Sequence, residues 1–210
     1  MHKANGITRN QILTSIKVNG SMTADTLAQE LGISPVAVRQ HLSALEAEGY
    51  IRTSVERRGL GRPVHRYTVT DEGDESFPRT YDRVSNELLD ELRLSGGEAA
   101  VDAVFAARRE RLQAANLVRV HGKPLLARVQ ELARLQSEYG YMAESQEDGE
   151  DLLLVEHNCA ICKLARQNRT ACQHELIMLQ NMVGDSGVVT RERYILDGDP
   201  TCTYRIKTAT

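Results

Sequence analysis

Four cysteines, Cys159, Cys162, Cys172 and Cys202, all fall in the last quarter of this 210-residue chain, and the first 158 residues contain none. Thiolates bind soft metals and carry redox chemistry. Three chemistries compete for this set. Four thiolates can hold a tetrahedral zinc ion, but structural zinc sites usually pair two short Cys-x-x-Cys knuckles, and this chain has one, Cys159–Cys162. An iron–sulfur cluster accepts irregular spacing and suits the distant Cys172 and Cys202 better. Cys159 and Cys162 alone could form a dithiol switch. Four unrelated cysteines would be the blander account, and their confinement to one stretch argues against it.

A second group of residues with chemistry lies at the other end. Ser34 and Pro35 are the cap and first residue expected at a helix start. Val38, Leu42 and Leu45 then recur at i, i+4 and i+7, which turns one stripe inward at about 100° per residue. Val36, Ala37, Gln40 and Ser43 are left facing outward, with Arg39 and His41 on the flanks. Such a face, with Ser34 at its start, suits a major groove. Gln40 has the donor–acceptor pair that reads adenine, and Arg39 or His41 could reach phosphate. Further on, Arg57, Arg58 and Arg62 stand on a Gly-rich tip between two β runs, 50–55 and 64–69, and suit phosphate or minor-groove contact.

The elements that must carry these residues follow from the pattern. Thr8–Lys17 reads as a helix with Ile12, Leu13 and Ile16 on one face, ended by Asn19-Gly20. Ala24–Leu31 reads as a second helix with Leu27, Ala28 and Leu31 inward, and Gly32 breaks it. With the capped third helix and the basic hairpin, this is a winged helix-turn-helix over residues 1–75. Residues 1–70 hold nine Lys/Arg against five Asp/Glu, whereas the remainder holds seventeen against twenty-four. A basic block on an acidic chain fits local contact with double-stranded DNA.

Residues 80–140 read as helices: 81–94 with Val84, Leu88 and Leu92, 97–119 with Val101, Val104, Phe105 and Leu112, and 125–139 opened by Pro124. Their partly apolar faces are expected to pair two copies of the chain, because symmetric regulators read half-sites as dimers. Residues 141–210 read as a small α+β domain. It has a strand at 150–156, a helix from Cys159 capped by Asn158, a helix from Cys172 to Val183, a strand at 188–196 and a last strand from Cys202. The fold class is thus mainly α with small β: a winged helix-turn-helix, central dimerisation helices and a C-terminal α+β cysteine domain. No apolar run reaches the roughly 18–20 residues of a membrane span. The first residues lack the apolar stretch of a signal peptide, so a cytoplasmic protein is expected. No acid–base constellation accompanies the cysteines, and an enzyme is not expected.

The wing segment Gly61-Arg62-Pro63 with Tyr67-Thr68-Val69-Thr70, and the stretch His157-Asn158-Cys159-Ala160-Ile161 with Cys172, Glu175, Gly198 and Cys202-Thr203-Tyr204-Arg205-Ile206, resemble the SufR family. These are iron–sulfur-binding repressors of the suf cluster-assembly operon. The resemblance implies a [4Fe–4S] cluster held by Cys159, Cys172 and Cys202. The fourth ligand is either Cys162 or a non-cysteine residue such as His157, His174 or Glu175. It also implies a homodimer that binds operator DNA in the cluster-loaded form and represses. A zinc-stabilised or thiol-redox-sensing regulator with the same reader is the alternative.

Overall fold

The computed structural model describes residues 2–56 and 63–208, with side chains from residue 9 onward. Two compact units succeed each other along the chain, residues 1–79 and 80–210.

The first unit contains α1 (His2–Asn19), α2 (Ala24–Leu31), α3 (Pro35–Ala47), β1 (Ile51–Glu56), β2 (Val64–Val69) and α4 (Asp71–Glu75). Each start is chemically marked. Thr23 accepts from the Thr26 N–H to open α2, and Ser34 accepts from the Ala37 N–H to open α3 ahead of Pro35. These caps satisfy N–H groups that a helix start leaves without partners. Ile12, Leu13, Ile16, Leu27, Val38, Leu42, Leu45 and Ile51 form the buried core, so the inward stripes read from periodicity are the ones observed. β1 and β2 pair antiparallel, with Ile51 opposite Val69. Met22 adds a bridge to Tyr67 through two backbone hydrogen bonds of 3.1 and 2.9 Å, tying the entrance of α2 to the wing. Gly73 in α4 lies so close to the Tyr50 carbonyl that an added Cβ would sit 2.0 Å from its oxygen. Only glycine fits there.

The second unit contains α5 (Tyr81–Val120), α6 (Leu125–Glu138), β3 (Ala143–Asp148), β4 (Asp151–Glu156), α7 (Cys162–Gln167), α8 (Thr170–Val183), β5 (Gly187–Arg193) and β6 (Cys202–Thr208). The four strands form one antiparallel sheet in the order β3-β4-β6-β5. Val129, Leu132 and Leu135 of α6 and Leu179, Met182 and Val183 of α8 bury against Leu154, Val189, Tyr204 and Ile206 of the sheet. The helices of 81–138 therefore share a unit with the cysteines instead of forming a separate middle region. α5 is broken at Gly97, whose φ of 69° lies in the left-handed region that glycine tolerates. α7 packs in the crook: Leu89, Val101, Phe105 and Ala171 are buried together, with Ile161 and Leu164 against them.

Three expectations are corrected. Val84 and Leu88 face outward, Leu88 being 65% exposed, while Leu89 points inward. Helical spacing allows both neighbouring stripes, and the packing of α7 selects the second. Asn158 does not cap a helix at Cys159. Its amide donates to the Gly140 carbonyl at 2.6 Å, and α7 begins only at Cys162. The strand expected to run to Leu196 ends at Arg193, after a register irregularity at Arg191/Arg193, and a short 3-10 turn covers Ile195–Asp197. β3 was not expected at all, because Ala-Glu-Ser-Gln-Glu-Asp is polar on both faces. Among the described residues no helix is long and apolar enough to cross a membrane.

Candidate DNA-reading head and cysteine site

On α3 the residues expected to meet DNA divide by what they already touch. Ser34 is occupied by its capping bond of 3.2 Å to the Ala37 N–H. Val36, Arg39, Gln40 and Ser43 are exposed, and Ala37 and His41 are half-buried. Arg39 pairs with Asp25 of α2 at 3.1 Å in an open setting, where a phosphate could compete for it. Gln40 is thus free at the surface for a base edge. A groove between the start of α2, Arg39 and the β2 residues Val64, His65 and Tyr67 borders this face. Arg57, Arg58 and Arg62 lie outside the described residues. Sequence reading overlooked Arg66, which pairs with Glu56 at 2.5 Å and donates to Ser21 at 3.2 Å. Arg66 thus braces the wing against the segment before α2.

Three segments supply the thiols of the cysteine site. Cys159 lies in the loop between β4 and α7, Cys172 lies in the first turn of α8, and Cys202 opens β6. Cys172 and Cys202 are buried, and Cys159 and Cys162 are half-buried. Cys202 is paired in register with Glu156 at the end of β4, so their side chains share one face of the sheet. Glu175 stands one turn along α8 from Cys172, on the same side of the helix. Gln136 of α6 links the two carboxylates, donating to Glu156 at 2.6 Å and reaching Glu175 at 3.4 Å. Arg191 donates to the Cys172 carbonyl at 2.5 Å, and its guanidinium lies 4.5 Å from the Tyr194 ring centre and 5.3 Å from that of Tyr204.

The electrostatics follow from this enclosure. Burial pushes the Cys159 thiol up to about 12, and the neighbouring Cys162, Cys172 and Glu175 add to the rise. Burial likewise pushes Cys202 up to about 11, with Glu156 and Glu175 adding to it. The Ile195 N–H, 3.5 Å from the sulfur, and Arg191 oppose that rise. Cys172 is raised by burial, and its hydrogen bond with the Tyr194 hydroxyl works against this. Glu156 is raised well above the ordinary carboxylate range by burial and then by Glu175. Glu175, only partly covered as a residue, turns its carboxyl inward to Gln136 and Tyr141, and burial raises it too. The buried Tyr204 hydroxyl and Arg191 Nε lie here without a well-aligned hydrogen bond. Burial thus inclines these thiols and acids to keep their protons, and binding of a metal group by the thiols would have to displace them.

The other candidate ligands are engaged elsewhere. His174 bonds to Asp102 at 2.9 Å and Arg109 at 3.1 Å and stacks near Phe105. His157 meets Glu144 at 2.9 Å on the exposed side of the sheet. Cys162 adjoins Cys159. Among the described residues, no three His, Cys, Asp or Glu side chains converge closely enough to share one metal ion. The donor chemistry, three thiols with adjacent carboxylates, fits an iron–sulfur cluster. Glu156, Gln136, Tyr141, Arg191 and Tyr194 were missed from sequence. The signal available was an acid ending the apolar strand Leu152–Val155, where a buried charge needs a reason.

Residues 7–52 match the family model of winged helix-turn-helix DNA-binding domains. The N-terminal unit is a winged helix-turn-helix. The chain is also similar to the probable C4-dicarboxylate response regulator DctR of Bacillus subtilis (strain 168), 38% identical over 66 residues. That match spans 31% of this chain and 29% of the relative's length. Among solved structures, Bacillus subtilis PadR in complex with operator DNA is aligned over 85% of this chain and 99% of its own, at 16% identity and a TM-score of 0.31. A likeness that slight leaves the second unit to be understood from its own residues.

Proposed function

We propose that the chain is a transcriptional regulator whose winged helix reads double-stranded operator DNA and whose second unit carries an iron–sulfur cluster, as in the SufR repressors it resembles. The observation that carries this reading is the set of thiols Cys159, Cys172 and Cys202, half-buried to buried with the Glu175 carboxyl as a shared electrostatic neighbour, in a chain that opens with a winged helix-turn-helix. Cys159, Cys172 and Cys202 would hold the cluster. Bound there, it supplies a redox- and oxygen-sensitive link among three elements that otherwise meet through a loop, a helix start and a strand start.

The chain's own residues offer a route from that link to the reader. The Cys159–Cys172 segment contains α7, and α7 is fastened to the first limb of α5. Asn86 donates to the Lys163 carbonyl at 3.3 Å, Asn168 donates to Asn86 at 2.9 Å, and Arg93 donates to Asn168 at 2.7 Å. That limb begins at Tyr81, directly after the first unit in sequence, and ends at the Gly97 break. A group held jointly by Cys159, Cys172 and Cys202 would restrain α7 and, with it, the limb it is bonded to, and without that group Gly97 would be the place for the limb to turn. The exposed Tyr81, Val84 and Leu88, spaced along one side of the limb, favour a homodimer whose half-site spacing depends on that angle.

A 100-fold change in operator affinity needs about 2.7 kcal/mol of coupling. The test is anaerobic titration of DNA fragments, selected by the cluster-loaded protein, against loaded and apo protein at one salt concentration. Binding at least ~100-fold tighter by the loaded form is expected. Equal affinity would remove the sensor from the account.

The zinc alternative keeps the reader and exchanges the cluster for a colourless ion. The single Cys159-x-x-Cys162 knuckle, where structural zinc sites usually pair two, weighs against it.

A further inference from the structure

The reading face of the winged helix carries an ion pair that stability does not account for. Asp25, in the first turn of α2, accepts from Nη2 of Arg39 on α3 at 3.1 Å, and the two side chains are 77% and 56% exposed. Exposed pairs of this kind add little to stability. Both residues line the groove beside His65 and Tyr67 of β2, on the flank of the face that suits a major groove, where a carboxylate repels phosphate. We infer that Asp25 is a positioning residue that holds the Arg39 guanidinium so that Arg39 reads a guanine base instead of gripping the phosphate backbone. This rests on the winged helix reading DNA, as under Proposed function, and is independent of the cluster.

Arg39 precedes Gln40 and lies one helical turn before Ser43, so at about 100° per residue it stands at the edge of the exposed face formed by Val36, Gln40 and Ser43. A long side chain left free at that edge has many rotamers and is drawn to the nearest phosphate. Asp25 removes this freedom. It engages one terminal nitrogen and leaves a parallel pair of N–H donors for O6 and N7 of guanine, the two acceptors that match the guanidinium fork. Its negative charge also weakens the attraction of Arg39 for phosphate, and costs little against an uncharged base. Asp25 projects from a fixed turn: the Thr23 hydroxyl accepts from the Thr26 N–H at 3.1 Å, and Met22 is bridged to Tyr67 of the wing. Gln40, next along α3, is placed for the neighbouring base pair, so the two side chains together read a guanine beside an adenine. A carboxylate in the first turn of α2 also favours that helix end. That role needs no arginine, and the test separates it.

The experiment is selection from a randomised double-stranded DNA library by the full chain purified without oxygen. The selected site and its single-base variants are then titrated at several salt concentrations. Wild type should prefer guanine at one position by at least ~10-fold. Arg39→Lys keeps the charge and loses the fork, so it should lose that preference and keep the wild-type salt slope. Asp25→Asn should cut the preference there at least ~5-fold, tighten binding to unrelated DNA and steepen the salt slope by about 1, as the released arginine takes a phosphate. In an Arg39→Gln background, Asp25→Asn should change base preference no further. Urea unfolding of each variant reads the helix-end role. Asp25→Asn that shifts only the urea midpoint, or nothing, would overturn the inference. An equal loss of preference with and without Arg39 would do the same, as would a guanine preference retained by Arg39→Lys. These outcomes leave DNA reading intact. Wild type that enriches no sequence would overturn both.

Discussion

The two units solve opposite problems with their interiors. The winged helix buries Ile12, Ile16, Leu27, Val38, Leu42 and Leu45 around an apolar centre, and its polar side chains lie at the rim as caps and ion pairs. Such a core is held by apolar burial and leaves no buried charge to be compensated among its described residues. The second unit also has an apolar core, yet beside it lie Glu156, Gln136, Arg191 and two buried cysteines. Burying carboxyls and thiols is costly unless something compensates. Rule-breaking of this kind collects at functional sites. The polar groups of one half thus sit at its edge, whereas those of the other lie beside its core.

The largest effect that would break this comparison is a hole in the reader. Leu42→Ala removes a side chain only 1% exposed and should cost about 2–5 kcal/mol. Urea unfolding should show the first unit melting early and DNA binding lost, with iron and sulfide retained by the second. Simultaneous loss of the cluster would mean that the units are not separate in stability. Cys172→Ser comes next and runs the other way. Iron and sulfide should be lost and operator affinity should fall by about 2.7 kcal/mol, with circular dichroism unchanged. Retained visible absorbance would remove Cys172 from the ligands.

The same contrast decided what the sequence disclosed. α2 was read to its boundaries, Ala24–Leu31, because Thr23 and Gly32 punctuate it and its apolar face has one period. Val38, Leu42 and Leu45 were legible for the same reason. The cysteine site was legible only as a list of residue types. What surrounds it comes from Gln136, Glu156, Glu175 and Arg191, on four elements up to 55 positions apart, and no local pattern links them. β3 escaped because an exposed edge strand tolerates charges that blur its period. The orientation of α5 escaped because two apolar stripes lie side by side and only α7 chooses between them.

Smaller effects sharpen the comparison. Gln40→Ala removes an exposed side chain without structural partners and should cost ~1–3 kcal/mol of binding at cognate sites alone. Equal losses on unrelated DNA would make Gln40 a backbone contact. The smallest concerns Glu131 of α6. Arg119, then Lys123, hold its carboxyl down at about 2, with contacts of 2.7 Å to Arg119 and 3.1 Å to Lys123 and Arg134. A carboxylate depressed in the folded state stabilises above its unfolded value near ~4.3, and the gain fades as pH falls towards about 2. Glu131→Gln should lower stability at neutral pH by at most about 1 kcal/mol, since the cations are largely solvated, and flatten the acid limb of the stability curve. An unchanged acid limb would show that this cluster adds nothing measurable.

The central claim, that the second unit is built around an iron–sulfur cluster, is tested most directly by purifying the chain without oxygen. Iron, sulfide and zinc per chain are measured together with the visible spectrum. The expected result is a brown protein with iron and sulfide in equal amounts, bleaching in air. Colourless protein with zinc, or with no metal at all, would contradict it and leave a winged-helix regulator whose thiols serve another end.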